Sequence, residues 1–476
     1  MSLKDYRSGA NAMKVQIHKD GSYDVLGKHI QLIGCYPAIN GCALRCTQTD
    51  VGSNTVTYHL AVGRVQLRFT SDAGERLCVL CKAENLPGIH SLSPLAGAKA
   101  DTAEQVFVQG FGMEGPSGVY AIGEDVPASH GLTALCAGDE TLLAYAEDHT
   151  RFRLCFEMNA AVSAAFVLEG AAGKDFTLPA LFLEESGALA SALRHCAERI
   201  AKTMHARHDK PPAFFWSSWY YAYDTMDQAA LEETLSGIRA ENVPFQYVQL
   251  DAGYTPSLGD WLTPNHRWPG GLKQAAETIL EAGLLPGIWV APFIVGDRSK
   301  LYCDHPDWVL RDPDGRPHVQ LRSYTEPKMW GNPDCDYYVL DTSHPDALSY
   351  IETVFRTLKS WGFSLFKTDF MLWSMHDTDT VLRHDPSLTS VEIMRNTLDV
   401  IRHAIGEESY LLGCIAPFMP FIGYADGMRF AGDCGAQWAE PFGPINMLRE
   451  VPADHYFNHV FWQNDPDAVL LRDFAT

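Results

Sequence analysis

The 476-residue sequence has no run of about eighteen apolar residues, the length a membrane-crossing helix needs. Positive charge is scarce. Against 59 Asp and Glu stand 37 Lys and Arg, a formal net charge of −22. A surface of that sign is wrong for nucleic acid and for anionic lipid, so neither is an expected partner. Phosphate loops are missing where they would matter. No G-x-G-x-x-G follows any strand-like run after Pro212, and no G-x4-G-K-[ST] occurs. The residues up to Asp20 carry charges throughout and lack an apolar core, so a secretory signal is not expected. The twelve cysteines form no paired metal-ligand array. Cys78 and Cys81 are spaced C-x2-C, but they sit in the apolar run Leu77–Cys81 and read as small core residues of a strand. Free thiols without an export signal indicate the cytoplasm. No metal and no organic cofactor is expected.

What is present changes character near residue 190. From Met13 to Phe182 the chain reads as strands: Val15–His18, Thr55–Leu60, Val65–Phe69 and Arg151–Phe156 alternate or are β-rich, with Gly, Asp and Ser turns between them. This predicts an antiparallel β-sandwich over residues 1–185. From Glu184 to His208 the spacing of Leu189, Leu193, Cys196 and Ile200 is helical, and Pro211-Pro212 ends it, giving a linker helix over 186–212. After Pro212, strands and helices alternate. Apolar runs at Phe214–Trp219, Tyr247–Leu250, Leu285–Val290, Ser364–Phe366, Tyr410–Cys414 and Gly427–Phe430 frame helical patterns at Met226–Glu241, Leu272–Ala282, Pro345–Trp361 and Ser390–Ile405. Such βα units over about 260 residues predict a (β/α)8 barrel for 213–476. Past Asp433 only two strand-like runs follow, Tyr456–Trp462 and Val469–Arg472, so the barrel is expected to lack its last strand and helix.

Chemistry in such a barrel belongs at the carboxyl ends of strands. Lys367 and Asp369 end the run Leu365–Phe370 and are two apart, so they share a strand face. A lysine beside a carboxylate keeps it ionised, as a nucleophile requires, although a salt bridge capping the strand reads equally simply. Arg429 ends Met428–Phe430 and Asp433 follows four residues later, which is also compatible with a strand end and a turn. Together they offer two acids on different strands facing one pocket, the arrangement of glycoside hydrolysis. Trp216, Trp219, Tyr220, Tyr221 and Tyr223 cluster at the end of the first barrel strand, with Trp261, Trp268 and Trp289 further on. Most must be packing, and Trp216, Trp261 and Trp289 are the candidate sugar platforms. Asp251 ends the second strand, either as an acceptor for hydroxyls or as a turn residue.

In order, Phe215–Tyr220, Gly259–Leu262, Pro269–Leu272, Pro286–Pro292, His305–Trp308, Leu340–Thr342, Lys367–Asp369 and Asn464–Asp467 resemble the α-galactosidases of glycoside hydrolase clan D, most closely family 36. The resemblance spans Pro212 to Arg472 and, more loosely, the sandwich before it. It implies a retaining α-glycosidase for terminal α-linked galactose-type sugars, with an oligosaccharide or α-galactoside substrate. In that likeness Asp369 is the nucleophile and Asp433 the acid/base. Lys367 and Arg429 hold ring hydroxyls near C2 and C3, Cys414 lies near the 2-substituent, and Asp251 binds the 4- and 6-hydroxyls. Large family members often associate, which admits a homo-oligomer. Where the family has two adjacent acids, this chain has Asp251-Ala252-Gly253-Tyr254. Loss of a charged acceptor there removes about 1.5–3 kcal/mol of sugar recognition. An α-N-acetylgalactosaminidase or α-galactosaminidase, a galactosyl transferase, and a non-catalytic carbohydrate-binding relative therefore remain as alternatives.

Overall fold

A computed structural model describes residues 13–72, 76–113, 115–123, 125–323, 331–434 and 444–468. Its contacts divide into two units, one of the described residues through His205 with Pro452–Val460, the other of Ala206–Val451 and the described residues from Phe461. Among the described residues no helix is long and apolar enough to cross a membrane.

In the first unit every strand pair is antiparallel, in one sheet of eight strands and one of ten. Alternation drives it. Thr55–His59 buries Val56 and Tyr58 and turns the residues between them outward, and Val162–Val167 buries every second residue. Val25, Leu32 and Phe166 of one sheet and Val56, Val65 and Leu183 of the other join a single apolar core, as in a sandwich. Helix α1 (Leu189–Thr203) buries Leu193, Cys196 and Ile200 and packs on the strand Glu140–Ala146. It starts later than the helical spacing suggests, because Leu181–Ser186 pairs as a strand with Thr141–Ala146. It is thus a packed part of the first unit, not a free connector.

The second unit holds a parallel sheet of seven strands among the described residues: β1 (Phe215–Ser217), β2 (Tyr247–Leu250), β3 (Leu285–Val290), β4 (Leu365–Thr368), β5 (Tyr410–Gly413), β6 (Gly427–Arg429) and β7 (Gln463–Asp465). They are hydrogen-bonded in chain order without a reversal. A doubly wound sheet reverses its strand order at a switch point, and these strands do not. Between them run α2 (Gln228–Ala240), α3 (Gly271–Glu281), α4 (Pro345–Ser360) and α5 (Ser390–Ile405). Asp227 caps α2 by accepting from Ala230 N–H at 2.8 Å, and Thr389 with Glu392 forms a capping box on α5. A small antiparallel sheet of Ile294–Gly296, Val319–Arg322 and Asp336–Val339 lies between β3 and β4 in sequence.

One expected strand is corrected. Tyr456–Trp462 is not a strand. His455–Phe457 is a 3-10 turn of the first unit, where the Tyr456 hydroxyl donates to Gln109 Oε1 and its ring meets Phe107 edge-on at 5.9 Å. The seventh strand begins only at Gln463. The run Val469–Arg472 lies outside the described residues.

Candidate active site

Register fixes which residues share a level at the carboxyl end of the sheet. Thr368 pairs with Gly413, Gly413 with Met428, and Met428 with Asn464. One residue further on come Asp369, Cys414, Arg429 and Asp465, a row across β4 to β7. Two residues back from Asp369, Lys367 pairs with Trp289, and Asp251 follows Leu250, the partner of Ile288. Parallel neighbours at one level point to one face, as do residues two apart. Asp251, Trp289, Lys367, Asp369, Cys414 and Arg429 therefore share a face, although they come from five strands.

Asp369 is 7% exposed. Its Oδ2 accepts from the Trp289 indole N–H at 2.9 Å and its Oδ1 from Phe370 N–H at 2.8 Å. Lys367 Nζ is 4.0 Å from it and donates instead to Asp251 Oδ2 at 2.9 Å. The lysine's close partner is thus Asp251, not the neighbouring acid that sequence spacing suggests. Burial works against its charge, but Asp251, Cys414 and Asp369 outweigh it and hold the ammonium above the usual lysine range. Asp251 is itself braced. Gln249 Nε2 donates to Oδ2 at 3.1 Å, Ala252 N–H to Oδ1 at 2.9 Å, and the Asp251 N–H donates to Ser218 Oγ at 2.8 Å.

The aromatic candidates divide. Trp289 and Trp261 are fully buried and meet edge to face at 5.7 Å, so Trp261 fixes the ring that holds Asp369. Trp216 is half-buried within β1 and packs on the exposed Tyr221 at 5.6 Å.

Arg429 is 2% exposed. It donates to Asp433 Oδ1 at 3.0 Å, to Ala431 O at 3.1 Å and to Cys414 Sγ at 3.8 Å, and it pairs with Asp467 Oδ1 at 3.2 Å. The Asp433 side chain is 45% exposed, open to an incoming molecule. Cys414 connects the two halves. Burial pushes its thiol well up, Asp369 and Asp433 push the same way, and Arg429 and Lys367 pull back, so both acids and both cations act on one sulfur.

Four residues here escape sequence reasoning. Asp467 pairs with Arg429, and Tyr220 donates its hydroxyl to Asp467. Burial pushes the Asp465 carboxyl up to about 6, against the pull of Arg429, and pushes Glu450, which accepts from Gly432 N–H at 3.3 Å, up to about 7. The run Asn464–Asp467 was a visible signal, but its acids are matched to Arg429 only through strand pairing.

Residues 191–380 match the melibiase family model. That match includes Asp251, Trp289, Lys367 and Asp369 and stops short of Asp433. An A type blood α-D-galactosamine galactosaminidase from Flavonifractor plautii is 29% identical over 189 residues, 38% of this chain and 17% of that protein. The α-galactosidase AgaA of Geobacillus stearothermophilus is 29% identical over 210 residues, 41% and 26% of the two chains. The chain thus spans about a quarter or less of these relatives. Among solved structures, the Thermus thermophilus α-galactosidase TtGalA in complex with stachyose superposes with a TM-score of 0.65 at 22% identity, over 97% of this chain and 89% of that one. The AgaA structure gives 0.55 at 18%, over 96% and 67%. At these identities the likeness is one of fold, and it extends well beyond the segment that matches the family model.

Proposed function

We propose that this chain is a family 36-type retaining α-glycosidase acting on terminal α-linked galactose-type sugars, and that it works in the cytoplasm. One observation carries the reading: Asp369 follows β4 and Asp433 follows β6 of one parallel sheet, with the buried Cys414 after β5 between them, and one acid is held by Trp289 and the other by Arg429. We read the seven parallel strands as the larger part of a (β/α)8 barrel that follows, in sequence, a sandwich and its helix α1. The melibiase match and the α-galactosidase relatives support the same class.

In the first step an Asp369 oxygen attacks C1 from the β face as the bond from C1 to the departing oxygen breaks. Asp433 gives its proton to that oxygen. In the second, water attacks C1 of the β-linked glycosyl-enzyme, Asp433 takes its proton, and Asp369 leaves. This route calls for carboxyl groups about 5–5.5 Å apart. Lys367, Asp251 and Cys414 line the sugar side of the pocket.

With an activated aryl α-galactoside, Asp433→Ala should lose about 10²- to 10⁴-fold in deglycosylation. Azide should restore turnover and yield the α-galactosyl azide, because the small anion attacks the accumulated intermediate without a base. No rescue, or a β-azide, would contradict the acid/base assignment. Trp289→Phe removes one donor to a charged acceptor, about 1.5–3 kcal/mol, so kcat/KM should fall roughly 10- to 100-fold. Unchanged kinetics in a folded variant would remove Trp289 from the mechanism.

A second reading concerns the sugar. Ala252 is 2% exposed where a second acid would meet the 4- and 6-hydroxyls, and the Flavonifractor plautii relative is named for galactosamine. Nitrophenyl α-galactoside, α-galactosaminide and α-N-acetylgalactosaminide assayed side by side decide between these substrates. Sugar binding with no turnover of any would overturn the enzymatic reading.

A further inference from the structure

A general acid must hold its proton when substrate arrives, yet Arg429 donates to Asp433 at 3.0 Å. A guanidinium at that distance favours the ionised carboxylate. Another group must balance that charge.

Asp467 is built into that position. Its Oδ1 lies 3.2 Å from Arg429 Nη1, and its Oδ2 accepts from the Tyr220 hydroxyl and from Cys434 N–H, the latter at 2.8 Å. Its own N–H donates to Asp465 Oδ1 at 2.9 Å. The backbone of Asp467 has φ +86°, a left-handed value that few side chains tolerate and Asp accepts better than most. Three groups thus orient this one side chain, which is 10% exposed, and its backbone is fixed as well.

The other titratable groups around Arg429, Asp433 and Asp467 are Tyr220, Cys414, Cys434, Lys367, Asp465 and Glu450, and burial pushes the Cys434 thiol up to about 11. Burial, with Asp467 and Asp433, pushes the Tyr220 phenol up, and burial likewise raises Cys414, so both stay neutral near pH 7. Asp465, pushed up to about 6, is mostly ionised there, and Glu450, pushed up to about 7, is about half ionised. Apart from Asp433 itself, Asp467 is the carboxylate that pairs directly with Arg429 among the described residues.

We propose that Asp467 is a positioning residue which takes up the charge of Arg429 and so lets Asp433 hold the proton it delivers. This rests on Asp433 being the acid/base. The sign follows. Without the Asp467 charge, Arg429 acts on Asp433 alone, the protonated acid is lost at lower pH, and the alkaline limb of the rate profile moves down. The loss should fall on leaving groups that need a proton. An alkoxide from a sugar does, and a dinitrophenolate hardly does.

The test is kcat/KM against pH for wild type and Asp467→Asn, with a galactosyl disaccharide and with 2,4-dinitrophenyl α-galactoside. The alkaline limb should fall by about one pH unit, with roughly a tenfold or greater loss on the disaccharide and a markedly smaller loss on the aryl substrate. Asp467→Glu should bring the limb back toward wild type. If Asp467→Asn does not fold, Tyr220→Phe serves: it leaves the Asp467 charge free for Arg429, so the limb should hold or rise, and a fall overturns the proposal. Equal losses on both substrates, or an unmoved limb, also overturn it. Wild type inactive on both substrates, or an Asp433→Ala variant that keeps the limb, overturns the acid/base reading and this proposal with it. A limb that Asp433→Ala removes and Asp467→Asn leaves in place overturns this proposal alone.

Discussion

Asp369→Ala is expected to lower kcat by about 10⁴-fold or more, which corresponds to about 5.5 kcal/mol of lost transition-state stabilisation. The geometry is specific to that outcome. Both oxygens of Asp369 are already oriented, one by the Trp289 indole and one by the Phe370 N–H, so its attack needs little reorganisation. Removing it takes away the group that forms the covalent bond. The expected signature is stereochemical as well as kinetic. In Asp369→Ala, azide can occupy the vacated space and attack C1 directly, giving the β-galactosyl azide, the opposite anomer to that from Asp433→Ala. Appreciable residual hydrolysis without azide, or the same azide anomer from both variants, would refute the assignment. A melting curve like that of wild type guards against simple unfolding.

Asp426→Ala should destabilise the protein by about 3–5 kcal/mol, the cost of leaving buried charges without their counter-ion. Asp426 follows helix α5 in sequence, immediately before β6, at the amino end of the sheet and away from the acids. Its side chain is 2% exposed. Oδ2 accepts from Arg402 at 2.9 Å, Lys210 at 3.1 Å and Leu411 N–H at 2.9 Å, and Oδ1 accepts from Arg207 at 3.2 Å. Three cations converge on one carboxylate. Burial already holds Lys210 and Arg402 below their ordinary ranges despite Asp426 beside them. Without that carboxylate they repel one another in a poorly hydrated place. A drop in Tm on the order of 10 °C follows for a unit of this size. Below the transition, kcat per folded molecule should stay near wild type, since the amino end of such a sheet serves stability and the carboxyl end chemistry. A Tm within about 2 °C of wild type would show that the cations find other partners.

Local signals carried much of the second unit. The α5 pattern, Ser390–Ile405, coincides with the helix because Thr389 and Glu392 cap one end and Gly406 closes the other. Runs at Tyr247–Leu250 and Leu285–Val290 are strands to the residue. The three-stranded sheet between β3 and β4 was not visible. Ile294–Gly296 is three residues long with no alternation and becomes a strand only by pairing with Tyr337–Val339. Residues 184–186 look helical by composition, yet strand pairing with Thr141–Leu143 takes them. In both places long-range pairing prevailed over local propensity.

The candidate site divides in the same way. Sequence alone was enough for the chemistry-bearing side chains at strand ends, and for Lys367 and Asp369 sharing a face, because a two-residue period is a property of any strand. It also exposed Ala252 as a departure from the family pattern. Partnership was decided by the folded chain. Lys367 donates to Asp251, 116 residues away, rather than to Asp369, two away. Arg429 meets Asp467, and Trp289, expected as a stacking face, offers its N–H to Asp369. Such contacts arise where the crossovers bring separate strands to one level, and no local period encodes which residue of β7 will stand beside which residue of β6.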